Sequence, residues 1–123
     1  MQGSRNKQTI ERYLDGFRRT DHAQILDCLT DDITWTVLGA FSLEGKAAYD
    51  AAIEGPGFAG DPELAVVRMV EEGDTVMAEL TGRVPQRDGS TQVLSMAEVF
   101  VMRDGLIRER RAWVVPLRGD DVG

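Results

Sequence analysis

The chain has 123 residues and a net charge of −7, with 42% hydrophobic and 28% charged residues. This balance fits one globular domain over 1–123 and excludes a disordered chain. The acidic surplus excludes nucleic acid and anionic membranes as partners, since binding phosphate needs an excess of Lys and Arg. No apolar run approaches the ~20 residues that span a bilayer. The opening Met1-Gln2-Gly3-Ser4-Arg5 has no apolar signal core, so a cytoplasmic home is expected.

In chain order, Ile10, Tyr13, Leu14 and Phe17 recur at helical spacing and predict a first helix to about Arg19, capped by Ser4 or Asn6. Asp21 opens a second helix, with Gln24 completing a capping box. Ile25, Cys28 and Leu29 share its apolar face, so the single cysteine reads as a core thiol. The single histidine, His22, reads as a solvated side chain of the first turn. Ile33, Trp35 and Val37 alternate with Thr34 and Thr36, the pattern of a strand with one apolar face. Gly39 ends that strand, and Ser42 is expected to cap a third, Ala-rich helix carrying Ala47, Ala48, Ala51, Ala52 and Ile53. The stretch from Gly55 to Pro62 is irregular, and Phe58 is its only large apolar group.

The second half predicts four strands, at 64–70, 75–84, 91–102 and 106–115. Gly73-Asp74, Asp88-Gly89 and Asp104-Gly105 between them suit tight hairpin turns. Helices first and a meander afterwards give an α+β fold. The expected form is a curved antiparallel sheet with the helices on its concave face, with an apolar pocket where the sheet bends away from them. The ordered core runs over about 5–117, with a polar tail at 118–123.

Glu98 is the most informative position. Leu94, Met96, Phe100 and Met102 share its face by two-residue alternation. An ionisable group in an apolar stripe is costly unless it is neutral, paired or solvated by a cavity. Val93, Ala97, Val99 and Val101 make the opposite face apolar too, so alternation leaves open which face is inside. On the last strand it groups Trp113 with Arg111 and Glu109, and Arg110 with Ala112 and Val114, unless a bulge reverses them. One histidine and no cysteine pair make no usual zinc site. The glycines at 55, 57 and 60 follow a helix, the wrong context for a phosphate loop. No metal or cofactor is expected.

Ile10-Glu11-Arg12-Tyr13-Leu14-Asp15-Gly16-Phe17 is followed by Asp21 and by Leu29-Thr30-Asp31-Asp32-Ile33-Thr34-Trp35. Gly45 stands before the Ala-rich helix, and Val99 to Ile107 carry the last Asp-Gly hairpin. Over roughly residues 8–117 these segments resemble SnoaL-like polyketide cyclases and ketosteroid isomerases of the nuclear-transport-factor-two-like superfamily. The resemblance implies a cone-shaped α+β fold with a deep pocket for a small apolar molecule, and a homodimer formed through the sheet face. It places Glu98 at the protonated pocket Asp of the isomerases and Tyr13 at their catalytic Tyr. In that mechanism a Tyr and a neutral carboxylic acid donate hydrogen bonds to a developing oxyanion.

By the same resemblance the isomerases' carboxylate base falls on Val37, which cannot move a proton. Epoxide hydrolases of the superfamily use an Arg and two Asp residues, with a Tyr and an Asn holding the water. The matching positions are Trp35 and Val37, Glu79 and Thr81, and Ala112, so that set is absent. Glu98 and Tyr13 are therefore the candidate catalytic pair. Phe17, Trp35, Val37, Phe58, Met96 and Phe100 are the candidate ligand contacts, with Arg110, Ala112 and Trp113 from the last strand. If Arg110 faces the pocket it pairs with Glu98, which becomes a candidate base. The readings carried forward are a cofactor-free isomerase or cyclase acting on a small apolar carbonyl compound, and a non-catalytic binding or interaction module.

Overall fold

Ile10, Tyr13 and Leu14 form one stripe of helix α1 (Arg5–Arg18), and that stripe is buried. The computed structural model describes residues 4–55 and 59–118. Ser4 caps α1 by accepting from the Lys7 backbone N–H. Asp21 caps α2 (His22–Asp27) by accepting from the Gln24 N–H. The two helices approach closely at Gly16, where an added Cβ would lie 2.9 Å from Ile25 Cγ1. Cys28 is buried, but as the residue that ends α2. Leu29, expected in that helix, instead opens strand β1 (Leu29–Val37), which takes in Asp31 and Asp32. Hydrogen bonds from Arg103 hold the exposed Asp32 carboxyl at about 2.

The hairpin after β1 corrects the sequence reading. Ser42 does not cap a helix. It lies in a short strand, β2 (Phe41–Glu44), whose residues pair back onto β1. Its hydroxyl meets Thr36 Oγ1 at 3.0 Å. Four residues are too few to show a clear alternation, so the strand leaves little trace in the sequence. Helix α3 (Lys46–Ala52) begins after Gly45.

Strands β3 (Glu63–Glu72), β4 (Thr75–Pro85), β5 (Thr91–Arg103) and β6 (Leu106–Pro116) lie within two residues of their predicted ends. Asp104 and Gly105, at φ +54° and +76°, form the two-residue turn between β5 and β6. Positive φ at both positions is what that turn requires. The sheet order is β2-β1-β6-β5-β4-β3. All neighbours run antiparallel except β1 and β6, which run parallel. The sheet is therefore mixed, curved and unclosed, where a purely antiparallel one was expected. Hairpin turns fix the meander, but they do not say how β1 docks against its last strand.

Helix α1 packs on β3 and β6, and α3 on β1 and β2. The face beneath them buries Val76, Ala78, Leu80, Met96, Phe100 and Met102. The opposite face exposes Val70, Met77, Trp113 and Val115. Pairing shifts between Val101↔Glu109 and Met102↔Ile107, which leaves Arg108 as an extra residue in β6. Strict alternation from the buried Ile107 would turn Glu109 and Arg111 inward. The bulge inverts the phase, and Arg110 is buried instead. Among the described residues no helix is long and apolar enough to cross a membrane.

His22, expected to be a solvated side chain, ties α2 to α3. Its Nδ1 lies 2.6 Å from Asp50 Oδ1 and its Nε2 2.7 Å from Glu54 Oε1. The bond to Asp50, then that to Glu54, raises its pKa. This bonus to stability is full below the unfolded histidine value of about 6.5 and is lost as pH rises through the raised folded value. We expect His22→Gln to cost more stability at about pH 5.5 than at about pH 9. Denaturant unfolding of both proteins at each pH checks this. An equal cost at both would show that the clamp carries no charge-dependent stabilisation.

Candidate functional site

The inner face of the sheet sets the site by register. Trp35 of β1, Arg110 of β6 and Phe100 of β5 are neighbours across it. In the next inward row stand Val37, Ala112, Glu98 and Ala78. Glu98 and Arg110 are thus diagonal neighbours, close enough for long side chains to meet. Ala112, directly opposite Glu98, has no bulk to come between them.

Arg110 Nε donates to Glu98 Oε1 at 2.8 Å, and Nη2 donates to Oε2 at 3.0 Å. The side chains are 10% and 1% exposed, so this two-point ion pair is almost out of water. Arg110 Nη1 donates to Tyr49 Oη at 3.1 Å. Tyr49 Oη in turn shares a hydrogen bond with Tyr13 Oη. The result is a buried chain, Glu98–Arg110–Tyr49–Tyr13. The guanidinium carbon lies 4.3 Å from the centre of the Trp35 ring, 5.4 Å from that of Phe17 and 5.5 Å from that of Tyr13. Aromatic faces at this range attract a cation.

Burial pushes the Tyr13 hydroxyl well above the ordinary tyrosine value, and it pushes Tyr49 upward too. Both phenols therefore stay protonated at neutral pH. Burial works against the Arg110 charge, but Glu98 and the two phenol oxygens outweigh it and hold the group well above its usual value.

Tyr13, Glu98 and Arg110 border a cavity of about 640 Å³, and Tyr49 stands behind them. Leu14, Leu80, Leu94, Met96 and Val114 supply apolar wall, and Tyr13, Trp35, Glu98 and Arg110 supply a polar patch. Among the described lining residues Glu98 and Arg110 are the only charged ones.

Phe17 and Val37, both expected at the pocket, also line this cavity. Phe100 is fully buried behind it, edge-on to Tyr13 with ring centres 5.8 Å apart. Ala112 is buried within the sheet and does not line it. Trp113 is a correction. The phase that turns Arg110 inward turns Trp113 outward, where it is 41% exposed and packs with Arg111. Phe58 lies outside the described residues. Glu79 and Thr81 are exposed on the outer face of β4, and the inward positions beside them are Ala78, Leu80 and Gly82. The Arg and Asp of the hydrolase pattern thus have no counterpart there.

Sequence reasoning missed two residues. Tyr49 links Arg110 to Tyr13, and its signal was present: it is the one aromatic of α3 and stands four residues before Ile53, on the buried face. Phe41 packs edge-on against Trp35 at 5.0 Å and borders the cavity, but it sits in the strand that went unseen.

The family model for the SnoaL-like domain matches residues 10–110. No curated protein matches the sequence. Among solved structures, the chain is similar to an M. tuberculosis LEH-like epoxide hydrolase, with a TM-score of 0.80 and 20% identity over 90% of this chain and 83% of that one. TerC, co-crystallized with polyporic acid, superposes with a TM-score of 0.79 and 25% identity over 89% of this chain and 90% of TerC. The epoxide hydrolase/cyclase-like enzyme SalBIII, of pyran ring formation in the polyether salinomycin, gives 0.79 and 16% identity over 94% and 92% of the two chains. The identities to the first and third establish a shared fold.

Removing one partner of a buried ion pair strands the other charge. Glu98→Leu is expected to cost about 3–5 kcal/mol, and Glu98→Leu with Arg110→Met to recover most of that loss. Denaturant unfolding of the single and double variants measures the coupling. A Glu98→Leu protein as stable as the parent would mean that the pair is not held as described.

Proposed function

The chain belongs to the SnoaL-like domain family, and from that premise we propose that it is a cofactor-free enzyme of isomerase or cyclase type, acting on a small, largely apolar carbonyl compound. The buried chain Glu98–Arg110–Tyr49–Tyr13 on the wall of an apolar cavity carries this reading. Tyr13 is the hydrogen-bond donor. Tyr49 Oη already accepts from Arg110, so its own proton is the one left to give to Tyr13 Oη. The Tyr13 proton is then free to point at a ligand. The reverse order would leave the spare proton on Tyr49, which does not line the cavity, and an unpaired buried donor is costly. With its pKa raised by burial, Tyr13 keeps that proton and polarises the carbonyl oxygen.

Glu98 is the proton acceptor in this scheme. It borders the cavity, and each carboxylate oxygen keeps a lone pair beyond the one that Arg110 engages. A proton leaves the carbon beside the carbonyl for Glu98, and the electron pair moves to the oxygen held by Tyr13. In a β,γ-unsaturated ketone, return of that proton at the γ carbon completes an isomerisation; in a dicarbonyl compound, attack of the enolate carbon on the second carbonyl carbon closes a ring, the C=O π pair moving to its oxygen, which takes the proton back from Glu98. That TerC was co-crystallized with polyporic acid supports a pocket of this fold that takes a small organic molecule.

A non-catalytic binding module is the second reading. It is favoured by the engagement of both Glu98 oxygens with Arg110, and by Val37 and Ala112 at the positions where the family resemblance implies carboxylates. One experiment separates the two. We expect the protein to accelerate hydrogen–deuterium exchange beside the carbonyl of 2-tetralone in heavy water, followed by NMR. Glu98→Gln, which can still accept from Arg110, should slow it by about 100-fold or more, and Tyr13→Phe should slow it comparably. Saturable binding without exchange would replace the enzyme by the binding module. Full activity in Glu98→Gln would remove Glu98 from the chemistry.

A further inference from the structure

Strand β4 carries a buried glycine, Gly82, on the inward face where Val76, Ala78 and Leu80 put side chains into the core. A glycine inside a strand weakens it, since it has more chain entropy to lose and nothing to pack. Its φ is not positive, so the backbone does not require it. The reason lies in space. A Cβ added at Gly82 would stand 2.9 Å from Met96 Cε and 3.4 Å from Leu64 Cδ2. The first distance is closer than two carbon atoms pack, and the second is at the edge of contact.

Met96 borders the cavity, and register explains how it reaches Gly82. It pairs across the sheet with Leu80 on one side and Val114 on the other. Leu94 and Glu98 are its inward neighbours along β5. Gly82 stands opposite Leu94, on the diagonal from Met96 that leads away from Glu98. The Met96 methyl rests in the notch left by the missing side chain. Leu80, Val114, Leu94 and Glu98 flank Met96 on the sheet, so a methyl driven from the notch has the cavity to move into. The unbranched, flexible methionine chain makes that move easy. Filling the notch therefore narrows the cavity and leaves the strand in place.

We propose that Gly82 sets the size of ligand the cavity takes, by holding the Met96 methyl away from Glu98 and out of the volume that a ligand larger than one ring needs. This rests on the cavity being the ligand site of the proposed function, and it adds the residue that limits ligand size. Gly82→Ala is the central variant, because alanine adopts this backbone without strain. Affinities for 2-tetralone and for the single-ring cyclohexanone are measured by titration NMR on the parent, Gly82→Ala, Met96→Ala and the double variant. Gly82→Ala should weaken 2-tetralone by about tenfold and cyclohexanone by less than about threefold. In the Met96→Ala background, which has no methyl to displace, Gly82→Ala should change 2-tetralone affinity by less than about twofold. The same loss in both backgrounds would overturn the proposal, as would an unchanged affinity in Gly82→Ala or an equal loss of both ketones. The notch is also read without any variant. Nuclear Overhauser contacts between the isotope-labelled Met96 methyl and the Gly82 α protons should be present in the free parent and persist with 2-tetralone bound. Their absence in either state would overturn the proposal even if Gly82→Ala failed to fold. A parent that shows those contacts and binds neither ketone would overturn the ligand site itself, and the size limit with it.

Discussion

Two opposite charges taken out of water at Glu98 and Arg110 set the terms for everything around them. Desolvating each ion costs several kcal/mol, and attraction offsets that only if the geometry is close and the remaining donors are satisfied. The geometry is close, and three of the five guanidinium N–H groups have partners. Both Glu98 oxygens are engaged, and a third guanidinium N–H is taken by Tyr49. The extra residue in β6 turns Arg110 inward, and the small Ala112 leaves the diagonal open. Helix α3 brings Tyr49 to the far side of the pair, and the His22 clamp fixes that helix to α2.

The arrangement has a chemical consequence. The pair is neutral as a unit, yet Arg110 gives its positive end to Tyr49 and so to Tyr13. A phenol that burial keeps protonated, and whose oxygen is itself hydrogen-bonded, is prepared to donate into an apolar space. Hydrogen bonds made in such a space are stronger than in water, and they need no rearrangement as charge develops on a carbonyl oxygen. The fold hosts several chemistries, so the residues on the wall and not the architecture carry the functional reading.

The four strands of the meander were legible because turn pairs and long runs of β-forming residues bound each of them. The inward set of β5 was legible as a stripe containing Glu98, although the apolar Val99 and Val101 on the other face hid which side was inside. Strand β2 and the parallel docking of β1 on β6 left little signal, since one is four residues long and the other is a tertiary choice. Trp113 stood among the pocket candidates beside Arg110 because alternation left open which face of the last strand lines the pocket. The β6 bulge decides against it, and register slips of one residue rarely show in composition. Tyr49 left a weak signal because α3 has only seven residues, four of them alanine, too short and uniform a helix for periodicity to mark its buried face.

A crystal structure of the protein with 2-tetralone bound tests the central claim most directly. The account predicts that Glu98 remains held on both oxygens by Arg110, that Tyr49 bridges Arg110 to Tyr13, and that the ketone oxygen lies about 3 Å from Tyr13 Oη. A Glu98 side chain turned away from Arg110, or a ketone seated with its oxygen away from Tyr13, would contradict it.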